Sequence, residues 1–376
     1  MSAHDTFTPK SASRFIVQLV PPGTGGIRDY AECLQREWVT MGIDSQLMAL
    51  SQTDAAARSL AERLDDMMRS DGRPCSLVLH FSGYGFHPRG LCFWLASEIE
   101  AARATLGARL RVVTMFHELF ASGPPWGSAF WVSRFQARIA SRVAKASDAL
   151  RTNTGPYLAW LASQVPSTMP IEVQAVFSNV GEPTTVKPQS ERVMRVVVFG
   201  ACATRHRALQ PLRGFAQGLA EQGVVEIVEV GPGSAFKWAE QSLTHRHVGR
   251  LASTDLSKLL EDSAYGLIDY PAAYMGKSTV LAAYAAHGCV VLNTHRIGKA
   301  HGEMRDRINF FNLLAGESVP ITARDRAAPA KELGEWYAPH NLSRNARSLA
   351  SMCCDGLNDM VSAYSAVPLQ CPREAG

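Results

Sequence analysis

Between Leu267 and Asn293 the chain runs LIDYPAAYMGKSTVLAAYAAHGCVVLN: an apolar run, a short turn, a small-residue helical stretch, a glycine and a second apolar run. Two buried strands joined through a helix pair in parallel, because only a crossover of this length returns the chain in the same direction. The same rhythm recurs along the chain. Apolar runs at 14–20, 44–50, 76–82, 110–116, 148–153 and 171–177 alternate with helical stretches near 27–39, 55–69, 88–107 and 130–146. After residue 193 further runs at 194–200, 224–230, 245–249, 265–270 and 289–293 alternate with helical stretches near 206–222, 253–262, 278–287 and 325–337. The pattern predicts an α/β protein built on parallel sheets with helices on both faces.

At 376 residues and 46% hydrophobic, the chain is long enough for two cores. Residues 178–192, SNVGEPTTVKPQSER, are polar and rich in turn formers, which suits a linker. The expected organisation is a Rossmann-like domain over 1–185, a second over 193–340, and a helical segment over 341–376 returning to the first. Open parallel sheets bind ligands beyond their carboxyl ends, so two such domains should face a cleft.

Charge is evenly spread, with 18 basic and 16 acidic residues up to 190 and 20 and 18 beyond. Neither half is a basic module, and nucleic acid is not an expected partner. The eight cysteines include no C-x-x-C, and several lie in apolar runs, as expected of a reduced cytoplasmic protein. No apolar stretch reaches the ~20 residues that span a bilayer, and the apolar run at 14–20 is too short for a signal peptide. The stretch 130–146 carries Arg134, Arg138, Arg142 and Lys145 at helical spacing, with Phe135, Ile139 and Val143 assigned to another face. Such a helix can rest on an anionic membrane, or simply hold its charges in water.

Two turns suit a phosphate. Gly276, Lys277, Ser278 and Thr279 open a helix after a strand, bringing backbone N–H groups, a positive dipole end, an ammonium and two hydroxyls to one point. A solvated lysine beside an N-capping serine is the plainer explanation. Pro271 to Ser278 also approaches the phosphate-loop pattern, with Pro271 where its first glycine belongs. The other turn, Gly23 to Gly26, follows the first apolar run, and its glycines permit close backbone approach to a ligand. Arg28 and Asp29 come directly after it. His117 and Glu118 end the run at 110–116, and Arg205 and Arg207 follow the run at 194–200. His245 and His247 alternate on one strand without a third ligand nearby in sequence, so no metal site is expected.

Four segments resemble the GT-B glycosyltransferases, in particular the family-4-like retaining group. Gly25-Gly26-Ile27-Arg28 is similar to that group's Gly-Gly loop, and Thr114-Met115-Phe116-His117-Glu118 to its histidine motif. Ser147 to Thr154 resembles its AD-x-v-x-t-x-S strand, and Ala283 to Val291 has the shape of its E-A-m-A-x-G-x-P-V segment. The resemblance follows most of the chain in order. It implies a metal-independent transferase without a cofactor, moving a sugar from a nucleoside diphosphate donor to a glycan or lipid-linked acceptor. Assembly of a bacterial surface polysaccharide, at the inner membrane face, is the expected setting. His117 would act beside the sugar. Gly276, Lys277, Ser278, Thr279 and Arg205 would hold the diphosphate, and Gly25, Gly26 and Arg28 would line the cleft. Glu118, Arg207 and Tyr274 are secondary candidates. The group's two glutamates fall on Met275 and Ala283. Their loss keeps open a non-catalytic GT-B protein that binds a nucleotide or glycan, and the phosphate-loop pattern keeps open an NTPase.

Overall fold

The computed structural model describes residues 14–121, 128–296, 300–313 and 322–354. Its contacts divide the chain into two compact units, one of Met1–Leu150 with Ala346–Gly376, the other of Arg151–Asn345. The chain begins β1 (Phe15–Val20), α1 (Gly26–Thr40), β2 (Ser45–Ala49), α2 (Gln52–Ala57), α3 (Leu60–Asp71) and β3 (Cys75–Phe81). It continues α4 (Gly83–Phe86), α5 (Phe93–Leu106), β4 (Leu110–Phe116), α6 (Ser128–Lys145), β5 (Ala149–Thr152), α7 (Gly155–Ala162) and β6 (Ile171–Val173). These strands form a six-stranded sheet in the order β2-β1-β3-β4-β5-β6, with β2, β1, β3 and β4 paired in parallel.

Every residue of β1 and β3 is buried, as in strands covered by helices on both faces. The expected helix over 55–69 is instead two. Ser59 accepts the Glu62 N–H while Glu62 caps the Ser59 N–H, and this capping box starts α3 afresh two residues after α2 ends. The expected strand over 171–177 stops at Val173, because the Gln174 N–H donates to Thr152 O and the Val176 N–H to Gly276 O.

The second unit continues with β7 (Val193–Phe199), α8 (Cys202–Leu212), α9 (Ala216–Glu221), β8 (Glu226–Val230), β9 (Thr244–His247), α10 (Ser253–Glu261) and β10 (Ser263–Ile268). Then come α11 (Thr279–Ala286), β11 (Val290–Asn293), the short β12 (Ala300–His301), β13 (Met304–Arg305) and β14 (Phe311–Asn312), and α12 (Ala323–Tyr337). Its parallel sheet has the order β14-β11-β10-β7-β8-β9. From β7 the chain builds outward to β9, then returns to β10 and builds the other way. The reversal lies between β7 and β10, where open α/β sheets place ligands.

Helix α11 packs into this sheet because its residues are small. Leu281 to Ala286 are all buried, and the Tyr284 ring lies on Gly266, where an added Cβ would stand 2.4 Å from it. The Tyr284 hydroxyl donates to Val197 O and lies 3.1 Å from Leu267 O, tying β7 to β10. Residues 178–192 are not a loose tether. Buried Arg192 donates to the carbonyls of Lys187, Leu260, Ser263 and His287, and Gln189 donates to Gly288 O.

Helix α13 (Leu342–Cys353) begins within the expected helical segment of 341–376; residues beyond 354 lie outside the described part. From Ala346 on it belongs to the first unit. Trp38 Nε1 donates to Ala346 O, Ser76 Oγ to Cys353 O and Arg111 Nε to Met352 O. Before it, buried Arg151 donates to the Asn345 carbonyl and side-chain oxygens.

His340, beside this junction, has a buried Nδ1 without a hydrogen-bond partner. Burial, then the nearby Arg151 charge, lower its pKa from 6.5 to about 4, against a smaller opposing pull from Glu172. A depressed imidazole pKa destabilises the fold in acid. Below pH 6.5 the unfolded chain takes up a proton that the folded chain refuses until about pH 4. Denaturant titrations at pH 7 and 4.5 should show His340→Phe losing about 2 kcal/mol less stability than the parent chain. Equal acid sensitivity would rule out His340 as the source.

Candidate functional site

In the first unit the candidate residues gather at the carboxyl edge of the sheet. The loop after β1 places Gly23 and Gly25 at φ +91° and +151°, values that suit glycine. An added Cβ at Gly23, Gly25 or Gly26 would meet nothing within 4 Å, so packing does not demand these glycines. Gly25 caps α1 without a side-chain hydrogen bond. Arg28 turns along α1 to pair with Glu32 at 2.8 Å.

His117 ends β4 and is 8% exposed. Its Nε2 lies 3.1 Å from Nδ1 of His80, and Nε2 of His80 lies 3.0 Å from Oε1 of Gln18. The Gln18 amide donates in turn to Ala31 O on α1. Tyr30, also on α1, stands edge-on to both imidazoles. Glu118 accepts from Ser82 Oγ at 2.8 Å. Gln18 and His80 were missed as site residues, although each is a buried polar residue inside a largely apolar strand, FIVQLV and CSLVLHF. Such a group is retained only where it is hydrogen-bonded.

In the second unit the Gly276–Thr279 turn combines both readings of its sequence. Residues Ala272–Lys277 wind as a 3-10 turn, and Ser278 caps α11 by accepting the Leu281 N–H. Gly276 is required. A Cβ there would stand 2.3 Å from Asn153 O, and the Gly276 carbonyl accepts the Val176 N–H. Lys277 is not simply solvated. Its ammonium lies 5.2 Å from the centre of the Tyr157 ring and 3.2 Å from the Tyr157 hydroxyl, and Tyr274 meets the same ring edge-on. Asn153 Oδ1 and Thr154 Oγ1, in the segment leading into α7, are buried without a hydrogen-bond partner. The first turn of α11 lies against the end of β7, with Val280 3.9 Å from where a Gly200 Cβ would be. That is the strand-order reversal.

Arg205 does not join this group. It is fully buried and donates to Glu229, Gly200 O, Pro232 O and Ser234 O, leaving no surface for a diphosphate. Burial raises the Glu229 pKa, but the Phe236 N–H and the Arg205 guanidinium outweigh it and hold the carboxyl below its usual value. His245 Nε2 stands 3.1 Å from the same carboxylate without the alignment of a hydrogen bond. Arg207 remains on the surface and pairs with Asp269 at 3.2 Å. The other Asp269 oxygen lies 2.8 Å from His295 Nδ1, a pairing no local motif signals. Among the described residues no group of three or more His, Cys, Asp or Glu side chains could hold a metal ion.

No family model and no curated protein matches the sequence. Solved structures do match. An α,α-trehalose-phosphate synthase (UDP-forming) from Burkholderia vietnamiensis superposes with a TM-score of 0.59 at 12% identity, covering 93% of this chain and 99% of that one. A glycosyltransferase from Rickettsia africae ESF-5 gives 0.56 at 11% identity, covering 91% and 98%. The trehalose-6-phosphate synthase OtsA gives 0.58 at 13% identity, covering 91% and 99%. The fold is GT-B. At these identities the likeness extends to the path of the backbone and no further.

The two glycine clusters make opposite demands. Gly276→Ala should lower stability by about 2 kcal/mol, because the methyl group meets backbone rather than a yielding side chain. Gly26→Ala, in open space at the start of α1, should change it by less than about 0.5 kcal/mol. Calorimetric midpoints of both variants check the contrast. An unchanged midpoint for Gly276→Ala would show that the turn relaxes freely.

Proposed function

We propose that this GT-B protein is a glycosyltransferase that moves a sugar from a nucleoside diphosphate donor to a glycan or lipid-linked acceptor. The observation that carries the reading is Lys277 anchored on Tyr157 beside the start of α11, at the strand-order reversal of the second sheet. In transfer the bond from the anomeric carbon to the diphosphate oxygen breaks, the diphosphate leaves with the electron pair, an acceptor hydroxyl oxygen bonds to that carbon, and the hydroxyl proton passes to the departing diphosphate. The negative charge grows on the leaving group. An ammonium has three N–H donors, so holding it over an aromatic face fixes where its charge sits without neutralising it. Thr279 and Val280 contribute first-turn N–H groups, and Thr279 a hydroxyl. His117 is the group assigned to the sugar. No metal ion enters this scheme, since the cationic side chain and helix start perform the neutralisation.

The positions of the family's glutamates are buried core, Met275 and Ala283 both at 0% exposure. The alternative is therefore a GT-B protein that binds a nucleotide or glycan without turnover. Binding of nucleoside diphosphates in a thermal-shift panel, with no transfer to any glycan or lipid-linked acceptor, would select it. A phosphate-loop NTPase is disfavoured by the hydrogen bonds of the turn. The Tyr274 and Ser278 N–H groups donate inward, to Pro271 O and Met275 O, rather than cradling an anion. On the transferase reading, Lys277→Ala should reduce turnover at least tenfold, with about 2 kcal/mol or more of leaving-group stabilisation lost. Full turnover in that variant would remove the lysine from the mechanism.

A lipid-linked acceptor is favoured by α6. Trp131, Arg134, Phe135, Arg138 and Lys145 share an exposed stripe, with Trp131 68% and Phe135 55% exposed. Phe135 thus does not share the inward face of Ile139 and Val143, both buried; it joins the basic side. Exposed aromatics among basic residues suit the headgroup region of an anionic membrane such as the inner face where surface polysaccharides are assembled. Among the described residues no helix is long and apolar enough to cross a membrane. The paired change Trp131→Ser with Phe135→Ser should weaken sedimentation with vesicles containing anionic lipid at least tenfold. Equal binding would leave the acceptor's location open to a soluble glycan.

A further inference from the structure

We propose that Gln18 and His80 are positioning residues that fix the proton of His117 on Nε2 and so leave its lone pair on Nδ1. The argument is a chain of donor and acceptor assignments that begins at a group with no choice. The Ala31 carbonyl only accepts, so the atom of Gln18 that faces it at 3.1 Å is the amide nitrogen. The Gln18 oxygen therefore faces His80, and the His80 nitrogen 3.0 Å away must bring a hydrogen. His80 is protonated on Nε2.

The ring of His80 is fully buried, and burial favours the neutral form of an imidazole. A neutral ring with its proton on Nε2 has its lone pair on Nδ1. Across the 3.1 Å gap stands Nε2 of His117, which must then donate. Two lone pairs, or two N–H groups, facing each other at that distance would repel. The proton of neutral His117 is thus on Nε2 and its lone pair on Nδ1, and a second proton would enter at Nδ1. Tyr30, edge-on to both rings, keeps the two imidazoles near-parallel at an interplanar angle of 23°. The Nε2 edge of His117 is committed to the protein interior.

The tautomer itself can be read without substrate. Long-range ¹H–¹⁵N spectra of histidine-labelled protein at about pH 9, where imidazoles are neutral, with His117 assigned by a His117→Gln variant, should show its lone pair on Nδ1. A lone pair on Nε2 would overturn the proposal with no further variant needed. His80→Asn places a side-chain oxygen near the former Nδ1 and should keep the assignment. His80→Phe, which offers no acceptor, and Gln18→Leu, which releases His80 from its tautomer, should each erode the bias about tenfold, the worth of one hydrogen bond. An unchanged bias in both would show that the relay does not set it. The spectra need neither donor nor acceptor, so absent transfer activity would count against the transferase reading and leave the tautomer assignment supported.

Discussion

Lys277 owes its position to backbone packing. The turn before α11 is pressed so closely on the chain leaving β5 that only glycine fits at 276, and the same glycine's carbonyl receives the Val176 N–H. Those two contacts fix where the 3-10 turn ends, and so where Ser278 caps α11. Side chains refine the result. Tyr157, on the helix that starts just after Asn153, offers its ring and hydroxyl to the ammonium. A flexible lysine loses rotational freedom when held, and an aromatic face that holds it in advance removes much of that loss from ligand binding.

Burial of polar groups organises the rest. Gln18 and His80 interrupt apolar strands in one unit, and Glu229 and Arg205 are fully buried in the other. Each pair satisfies its members by bonding one strand to a neighbouring loop or helix. For Arg205 and Glu229 the outcome is structural: the ion pair organises the loop that carries Gly231 to Phe236. For Gln18 and His80 the chain of bonds reaches His117 at the end of β4. The same desolvation physics thus makes a scaffold in one place and orients an imidazole in another.

Most strands were legible because parallel strands covered on both faces are continuous apolar runs that need no partner to be recognised. The helix over 155–162 was not, since Gly155-Pro156 has the look of a break; in the structure Pro156 occupies the first helical turn, where its missing N–H costs nothing. The division of α2 from α3 was visible in Ser59 and Glu62, whose capping box outweighs the helical periodicity on either side. At the site, single strand ends such as His117 could be located from local pattern. Tyr157 could not, because it meets Lys277 across 120 residues of sequence. Arg205 misled for a physical reason: a basic residue early in a helix after a strand suits a phosphate and suits a buried carboxylate equally, and Glu229 lay hidden in VVEIVEV.

The alanine-rich face of α11 limits what position 283 can hold. Ala283 is fully buried, and Tyr284 fills the space above Gly266 with a ring whose hydroxyl bridges two strands. A glutamate placed at 283 would enter a dry, occupied interior, at a loss of several kcal/mol. A ligand bound near this helix would therefore have to be recognised from other positions, because the packing of α11 leaves no room for a polar side chain at 283.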